Sequence, residues 1–290
     1  MANKTIPQLP LQTGITDNDL LAIVDSGETT TSKVKVSTLL SGIVIPDGKF
    51  IDAGGLNSIA NNYYSSTDIG SGSEYSQLLG GSGNTITTDP NFSQIIGGYD
   101  NDISGDGTRP VNTILGSYNS NISSNLGGFG CTIIGGHDHL LDRATESTVI
   151  GGNTNTVNDN NTWASAVVGG YSNFTSGGQG GIFVGRTNTQ SGTRGVILGG
   201  ESNVQQGIYS AILGGQSNTV TGVATHSAIA GAGNSTINGF PYNFIGGGQS
   251  NTNSARWSAI VGADSCLITG QRSFVAGAHD SDISGAPRFS

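Results

Sequence analysis

The tripeptide His137-Asp138-His139 sets metal-ligating side chains next to one another, and imidazole and carboxylate are ligands that zinc accepts. In extended backbone alternate residues share a face, so the two imidazoles are expected to point one way and Asp138 the other. No second cluster completes a site within one chain, and no metal is assigned. Paired carboxylates in a groove are the machinery of polysaccharide cleavage, and Asp100 with Asp102, or Asp280 with Asp282, have a suitable spacing. Both pairs sit in turn-like segments where acids are solvated, and no nucleophile elbow is present. The Gly-rich turns invite a phosphate, yet no Gly-Lys-Ser/Thr follows any of them. Gly80-Gly81-Ser82-Gly83-Asn84 comes nearest to a calcium-binding nonapeptide, with Asn in place of Asp and no repetition. The chain is therefore read as a non-enzyme that needs no cofactor.

The remaining chemistry is that of contact. Tyr99, Tyr118, His137, Asn153 and Tyr171 recur two positions after a Gly. If the repeats stack in register, these side chains align along one face at about 4.8 Å intervals. Rings with polar tips can lie against the apolar face of a sugar while hydrogen bonding to it, or they can form a ladder that stabilises a sheet surface. Phe240-Pro241-Tyr242-Asn243-Phe244 is a second aromatic cluster, in an inter-repeat loop, suited to a receptor or to a neighbouring chain. Tyr99, Tyr118, His137, Tyr171, Phe240 and Tyr242 are the candidate receptor contacts. A further column, Asn84, Asn101, Asn155, Asn173, Asn203 and Asn218, lies four residues after its Gly. It is read as a structural ladder, because stacked amides hydrogen-bond along a rod or hold tight turns. Trp163 and Trp257 each lead into a repeat and are expected to close one side of a shallow core.

The elements that position these columns follow from the repeat. Two apolar residues, Gly with a second small residue, two variable positions, often Asn, and another apolar residue recur, as in Ile95-Ile96-Gly97-Gly98 with Asn101 and Ile103. Aligning on the first Gly gives positions 80, 97, 116, 135, 151, 169, 185, 199, 214, 231, 247, 262 and 277, thirteen units spaced by 14 to 19 residues. Units this short, broken by Gly-Gly, cannot hold the two helices of a helical solenoid. β-branched pairs suit short strands, and Gly97, Gly116, Gly135, Gly151, Gly169, Gly199 and Gly214 are expected to turn the corners with positive backbone angles. The expected fold is all-β, a parallel β-solenoid of about thirteen rungs forming a rod roughly 60 Å long. Asp106 to Pro110 and Asp159 to Thr162 would bulge outward as loops. Each rung buries few apolar side chains at about 1.5 to 3 kcal/mol apiece, against about 1 to 2 kcal/mol per ordered backbone residue. That balance suggests three chains sharing a core.

Composition bounds the partners. The chain has 290 residues, 48 of them Gly, and only 11% charged, which is neither collagen-like nor a charge-rich disordered composition. No run of eighteen apolar residues and no basic, apolar leader is visible, so neither a membrane span nor a signal peptide is expected. Cys131 and Cys266, 135 positions apart, are expected as free, packed thiols. Net charge is −9, all four lysines (Lys4, Lys33, Lys35 and Lys49) precede residue 50, and seven arginines face fifteen acids beyond it. Nucleic acid and anionic membrane are poor partners for such a surface.

Residues 1–45 do not follow the repeat. Leu20-Leu21-Ala22-Ile23-Val24 and Lys33-Val34-Lys35-Val36 flank Asp25-Ser26-Gly27-Glu28 and read as a hairpin, in a chemically distinct module followed by a neck or degenerate first rungs at 46–76 and the solenoid at 77–290. Ile6-Pro7-Gln8-Leu9-Pro10, Ile15-Thr16-Asp17-Asn18-Asp19-Leu20-Leu21, Gly27-Glu28-Thr29-Thr30 and Lys33-Val34-Lys35-Val36 together resemble the short leader by which bacteriophage tail and head fibres attach to the virion. The Gly-Gly-x-x-Asn rungs resemble the β-roll repeats of trimeric autotransporter adhesin heads, which also occur in phage fibres. The chain departs from those adhesins in showing no signal peptide, coiled-coil stalk or membrane anchor, which favours the phage likeness. What the resemblance implies is a homotrimeric fibre assembled in the host cytoplasm. Its N terminus would be held by a tail or capsid protein of the virion, and its rod would be exposed to host carbohydrate or envelope protein. A spacer or capsid decoration without receptor contact, and a polysaccharide-degrading tailspike, are the alternatives.

Overall fold

The computed structural model describes residues 76–87, 92–105, 111–124, 130–158 and 163–285. It also describes strands Leu20–Ile23, Ser32–Lys35, Phe50–Asp52, Ile59–Asn61 and Asp68–Ile69. The chain falls into two units, Met1–Lys49 and Phe50–Ser290. In the first, Leu20–Ile23 pairs antiparallel with Ser32–Lys35, the hairpin expected there. The loops at 106–110 and 159–162 lie outside the described residues.

The second unit is an all-β parallel solenoid, and among the described residues it contains no helix. Each turn supplies one strand just before its Gly and another just after its Asn. The first ladder runs in strict register, Leu78↔Ile95↔Ile114↔Ile133↔Val149↔Val167. The second ladder has fourteen strands, from Asp68–Ile69 to Asp282–Ile283. Gly97, Gly116 and Gly135 lie one above the next, each N–H donating to the carbonyl of Leu79, Ile96 or Leu115 in the turn before. Ile59–Asn61 and Asp68–Ile69 pair parallel with the strands of the Gly80 turn, so the coil begins inside the 46–76 segment.

One alignment needs correction. Ala166 and Val167 pair with Gly181 and Ile182, which places Val184, not Gly185, at the leading-Gly position and Gly185 beside Gly170 and Gly200. Val184 fits because the corner opens there: Gly97, Gly116, Gly135, Gly151 and Gly169 have φ between +61° and +77°, whereas Gly214 is nearly extended at +156° and Gly199 has no positive φ. The corner residue that space does constrain is the second one. A Cβ at Gly200 would lie 2.1 Å from the Gly215 carbonyl oxygen and 2.6 Å from Asn203 Nδ2, while one at Gly97 would meet nothing within 4 Å.

The interior closes within a single chain. Leu78, Ile95, Ile114, Ile133, Val149, Ile197, Ile212 and Ile260 are fully buried from the first ladder, and Ile86, Ile103, Leu141, Val157, Val220 and Ile237 from the second. A thin core was the energetic reason for expecting sister chains to complete it, and that reason falls. The missing stabilisation comes from buried side chains that hydrogen-bond along the rod. Asn101, Asn173, Asn188, Asn203 and Asn218 form such a column, the Oδ1 of each accepting the backbone N–H one turn on. A second column repeats the device at the opposite corner: Ser147 Oγ accepts from Ser165 N–H, Ser210 from Ser227, and Asn243 Oδ1 from Ser258. These bonds satisfy buried donors that no strand pairing reaches, each contributing about 0.5–1.5 kcal/mol net.

Size is traded between neighbouring interior positions. Wherever the second corner residue is Gly, from Gly81 to Gly248, the residue three further on is Asn or, once, His; where it is Ser117, Ala232, Ala263 or Ala278, that residue is Ser120, Ser235, Cys266 or Ser281. A Cβ and a long polar head cannot share the space, since one added at Gly98 or Gly170 would come within 2.5 Å of the Asn amide nitrogen.

Candidate functional site

From the Gly97 turn onward, each turn carries a left-handed polar residue two positions beyond the second corner residue: Asp100, Asn119, Asp138, Thr154, Ser172, Thr187, Ser202 and Ser217 all have φ near +50°. Short polar side chains tolerate this geometry best. The residue just before it points outward and bridges to its counterparts, giving Tyr99↔Tyr118↔His137↔Asn153↔Tyr171↔Arg186↔Glu201. Tyr99 and Tyr118 stack with ring centroids 5.3 Å apart, and Tyr118 and His137 at 4.5 Å and 3° between planes. The rings are about half exposed, yet within the stack each face is covered by its neighbour, leaving edges rather than faces for a ligand. Tyr171 is separated from them by Asn153, and beyond it the column becomes charged, with Arg186 Nη1 3.5 Å from Glu201 Oε1.

The left-handed Asp138 also separates the two histidines. His137 stays outside beside Asp138, Nδ1 to Oδ2 2.7 Å. His139 turns into the interior Asn column, where its Nδ1 accepts the Asn155 N–H at 3.2 Å. The expected shared face is thus wrong, because the alternation that predicts it requires extended backbone throughout. Desolvation by burial holds the His139 pKa below the usual imidazole value, the Asp138 charge opposing the shift less strongly. The Asn column itself (Asn84, Asn101, Asn155, Asn173, Asn203 and Asn218, joined by Asn188 and Asn251) is fully or almost fully buried and beyond the reach of a sugar. Of the paired acids, Asp102 accepts hydrogen bonds from Thr85 Oγ1 and Asn121 Nδ2, while Asp280 contacts His279 at 3.0 Å. Cys131 and Cys266 are buried thiols in no disulfide, and Cys131 Sγ donates to the Ala144 carbonyl.

A second aromatic column, of which only Tyr242 was expected, occupies the third corner of the coil. Gln179, Arg194, Tyr209, His226, Tyr242, Trp257 and Arg272 follow one another up this edge, all with φ between +54° and +66°. Tyr209, His226, Tyr242 and Trp257 stack at centroid spacings of 4.9, 5.2 and 6.5 Å. Arg194 lies 5.1 Å from the Tyr209 ring centre and bonds its hydroxyl, and Arg272 lies 5.2 Å from the Trp257 ring at the other end. Arg256 sits between the rings of Phe240 and Trp257, at 5.1 and 5.3 Å. Beside them Val223, Asn238, Gly239 and Phe240 line an open depression of about 400 Å³. Trp163 and Trp257, expected to close the core, are instead 62% and 45% exposed, while the small residues beside them are buried: Ser165 near Trp163, and Ala255 and Ser258 on either side of Trp257.

The outer face of the first ladder is apolar along much of its length. Ile96, Leu115, Ile134, Ile150, Leu198 and Leu213 are exposed in successive or near-successive turns. A contiguous apolar strip of this kind marks an interaction surface.

Together these features define a class: a repeat protein of the parallel β-solenoid type whose outward columns, not its interior, are free to carry recognition. No family model matches the sequence, and no curated protein matches it.

Proposed function

We propose that this chain is a bacteriophage fibre protein, docked on the virion through residues 1–45 and contacting host surface glycans with its rod. The observation that carries the reading is the strict register of the solenoid, which turns single outward positions into columns of like groups about 4.8 Å apart. Weak contacts repeated in this way, on one rod and on sister rods, add up to avidity without any single deep pocket. The confinement of all four lysines to the first 49 residues, in a unit distinct from the solenoid, supports a separate docking role for that unit. The apolar strip on the first ladder supports a homotrimer formed by sheet faces, each chain keeping its own core.

Adsorption is the test. The full-length chain, fluorescently labelled, is expected to be retained on a subset of bacterial strains and to lose that retention after periodate oxidation of the surface sugars. Retention on no strain would leave a spacer or capsid decoration, and release of reducing ends from surface polysaccharide would make the chain a tailspike.

A further inference from the structure

We propose that the third-corner edge from Arg194 to Arg272 is a binding site for an acidic carbohydrate chain. Arg194 and Arg256 would take its carboxylate or sulfate groups, and Phe240 with Val223 an apolar sugar face. The proposal rests on the fibre reading and adds to it the place and the ligand class.

Charge is the first ground. The rod is acidic overall, but of its five described arginines (Arg143, Arg186, Arg194, Arg256 and Arg272) three lie on this edge. The acids between residues 177 and 285 are Glu201, Asp264, Asp280 and Asp282, and none is on it. Glu201 and Asp264 belong to the bridge column at the second corner, Asp280 is the left-handed residue there, and Asp282 is in the second ladder. Among the described residues no carboxylate lies on this edge, which makes it locally cationic.

Geometry is the second ground. Arg256 lies between two rings, and its Nε is shielded from solvent without a hydrogen-bond partner. A guanidinium stacked on ring faces keeps its donors at the rim of its plane, the arrangement that receives a carboxylate or sulfate by two parallel hydrogen bonds.

The same stacking argues against nucleic acid, which needs open ring faces for its bases. Here Tyr209, His226, Tyr242 and Trp257 cover one another. What they present is a row of polar edges suited to sugar hydroxyls, and the half-exposed Phe240 completes the apolar wall of the depression.

The test uses the full-length chain with Trp163→Phe, so that Trp257 is the sole tryptophan reporter. Its emission is followed on titration with polygalacturonate, alginate, hyaluronate, polysialic acid, neutral dextran and a single-stranded oligonucleotide. Binding to at least one acidic polysaccharide, weakened by salt and absent with dextran and the oligonucleotide, is expected. Arg194→Gln with Arg256→Gln should weaken it at least tenfold, Lys at both positions should fall between, and Arg186→Gln at the other corner should leave it unchanged. Unchanged circular dichroism of the Gln variant shows that the fold survives. No binding to any acidic polysaccharide, equal binding by the Gln variant, or preference for the oligonucleotide overturns the proposal. Cell adsorption separates the two claims: a Gln variant that still adsorbs fully removes the site but not the fibre, whereas a wild-type chain that binds polysaccharide but no cell removes the fibre and keeps the site.

Discussion

The interior Asn column and the outer edge from Arg194 to Arg272 are both ladders, built by the same stacking of turns, yet they obey opposite rules. Inside, identity is dictated: an Asn amide fills the space beside a Gly and accepts the next turn's N–H, and a Ser or Cys appears only where Ala or Ser replaces that Gly. Outside, the third corner passes from Glu146 and Ala164 through Gln179 to arginine and aromatics, with the backbone unchanged and every one of these residues left-handed. A solenoid thus separates the two jobs of a residue. Register is enforced by the inside, and whatever is placed outside inherits that register without having to earn it.

The sharpest way to break this comparison is to violate the inside rule. Gly200→Ala would put a methyl group against the Gly215 carbonyl and the Asn203 amide at φ +91°. Overpacking and left-handed strain together should cost about 3 kcal/mol or more. Adding Asn203→Ser recreates the Ala232 and Ser235 pairing found two turns on and should return part of the loss. Chemical denaturation of the four species in a double-mutant cycle should show a coupling of about 0.5–3 kcal/mol. Simple additivity would sink the size rule.

His139 is the next test, because it is the only imidazole in the Asn column. Its Nδ1 accepts the Asn155 N–H, so its proton sits on Nε2, which is buried without a partner. Burial lowers its folded pKa below the unfolded value, so between those two values the unfolded chain binds the extra proton. Its stabilising contribution is complete above about pH 6.5 and is lost as pH falls from there through the folded pKa. His139→Asn should raise stability at pH 7 by about 1 kcal/mol, by supplying amide donors with partners, and should flatten the decline between pH 7 and pH 5 in thermal melts. An unchanged pH profile would mean that His139 is not the group titrating.

The strands and the stacked glycines were legible because β-branched pairs before Gly recur through most of the chain, and only a coil of extended segments satisfies so short a unit. The interior Ser column carries an equally regular signal, since Ser93, Ser147, Ser165 and Ser227 each stand two residues before a buried Ile or Val, but Ser in a Gly- and Asn-rich chain reads as turn composition. Three features were hidden for physical reasons. Gly185 was placed one column off because Val184 occupies a corner open enough not to need Gly. His139 faced the wrong way in the expectation because Asp138 is left-handed, and a single such residue reverses the alternation. Trp163 and Trp257 are expected in the core because a large ring in a thin protein suggests burial, whereas Trp257 is itself a left-handed corner residue, Trp163 directly precedes one, Ala164, and both project outward.

The smallest effect concerns those corners and has the opposite sign to the first. Thr154 is left-handed at φ +55° although its side chain is β-branched, the combination that this backbone region disfavours most. Its neighbours in the same column include Asn119 and Ser172, and its hydroxyl contacts only the adjacent, exposed Asn153 side chain. Nothing interior depends on it. Thr154→Asn should therefore stabilise the rod by a few tenths of a kcal/mol, up to about 1, by relieving the strain. If a denaturation series instead shows a loss as large as that of Gly200→Ala, outer corners are as constrained as the interior. Residue choice at the third corner would then lose its value as a mark of recognition.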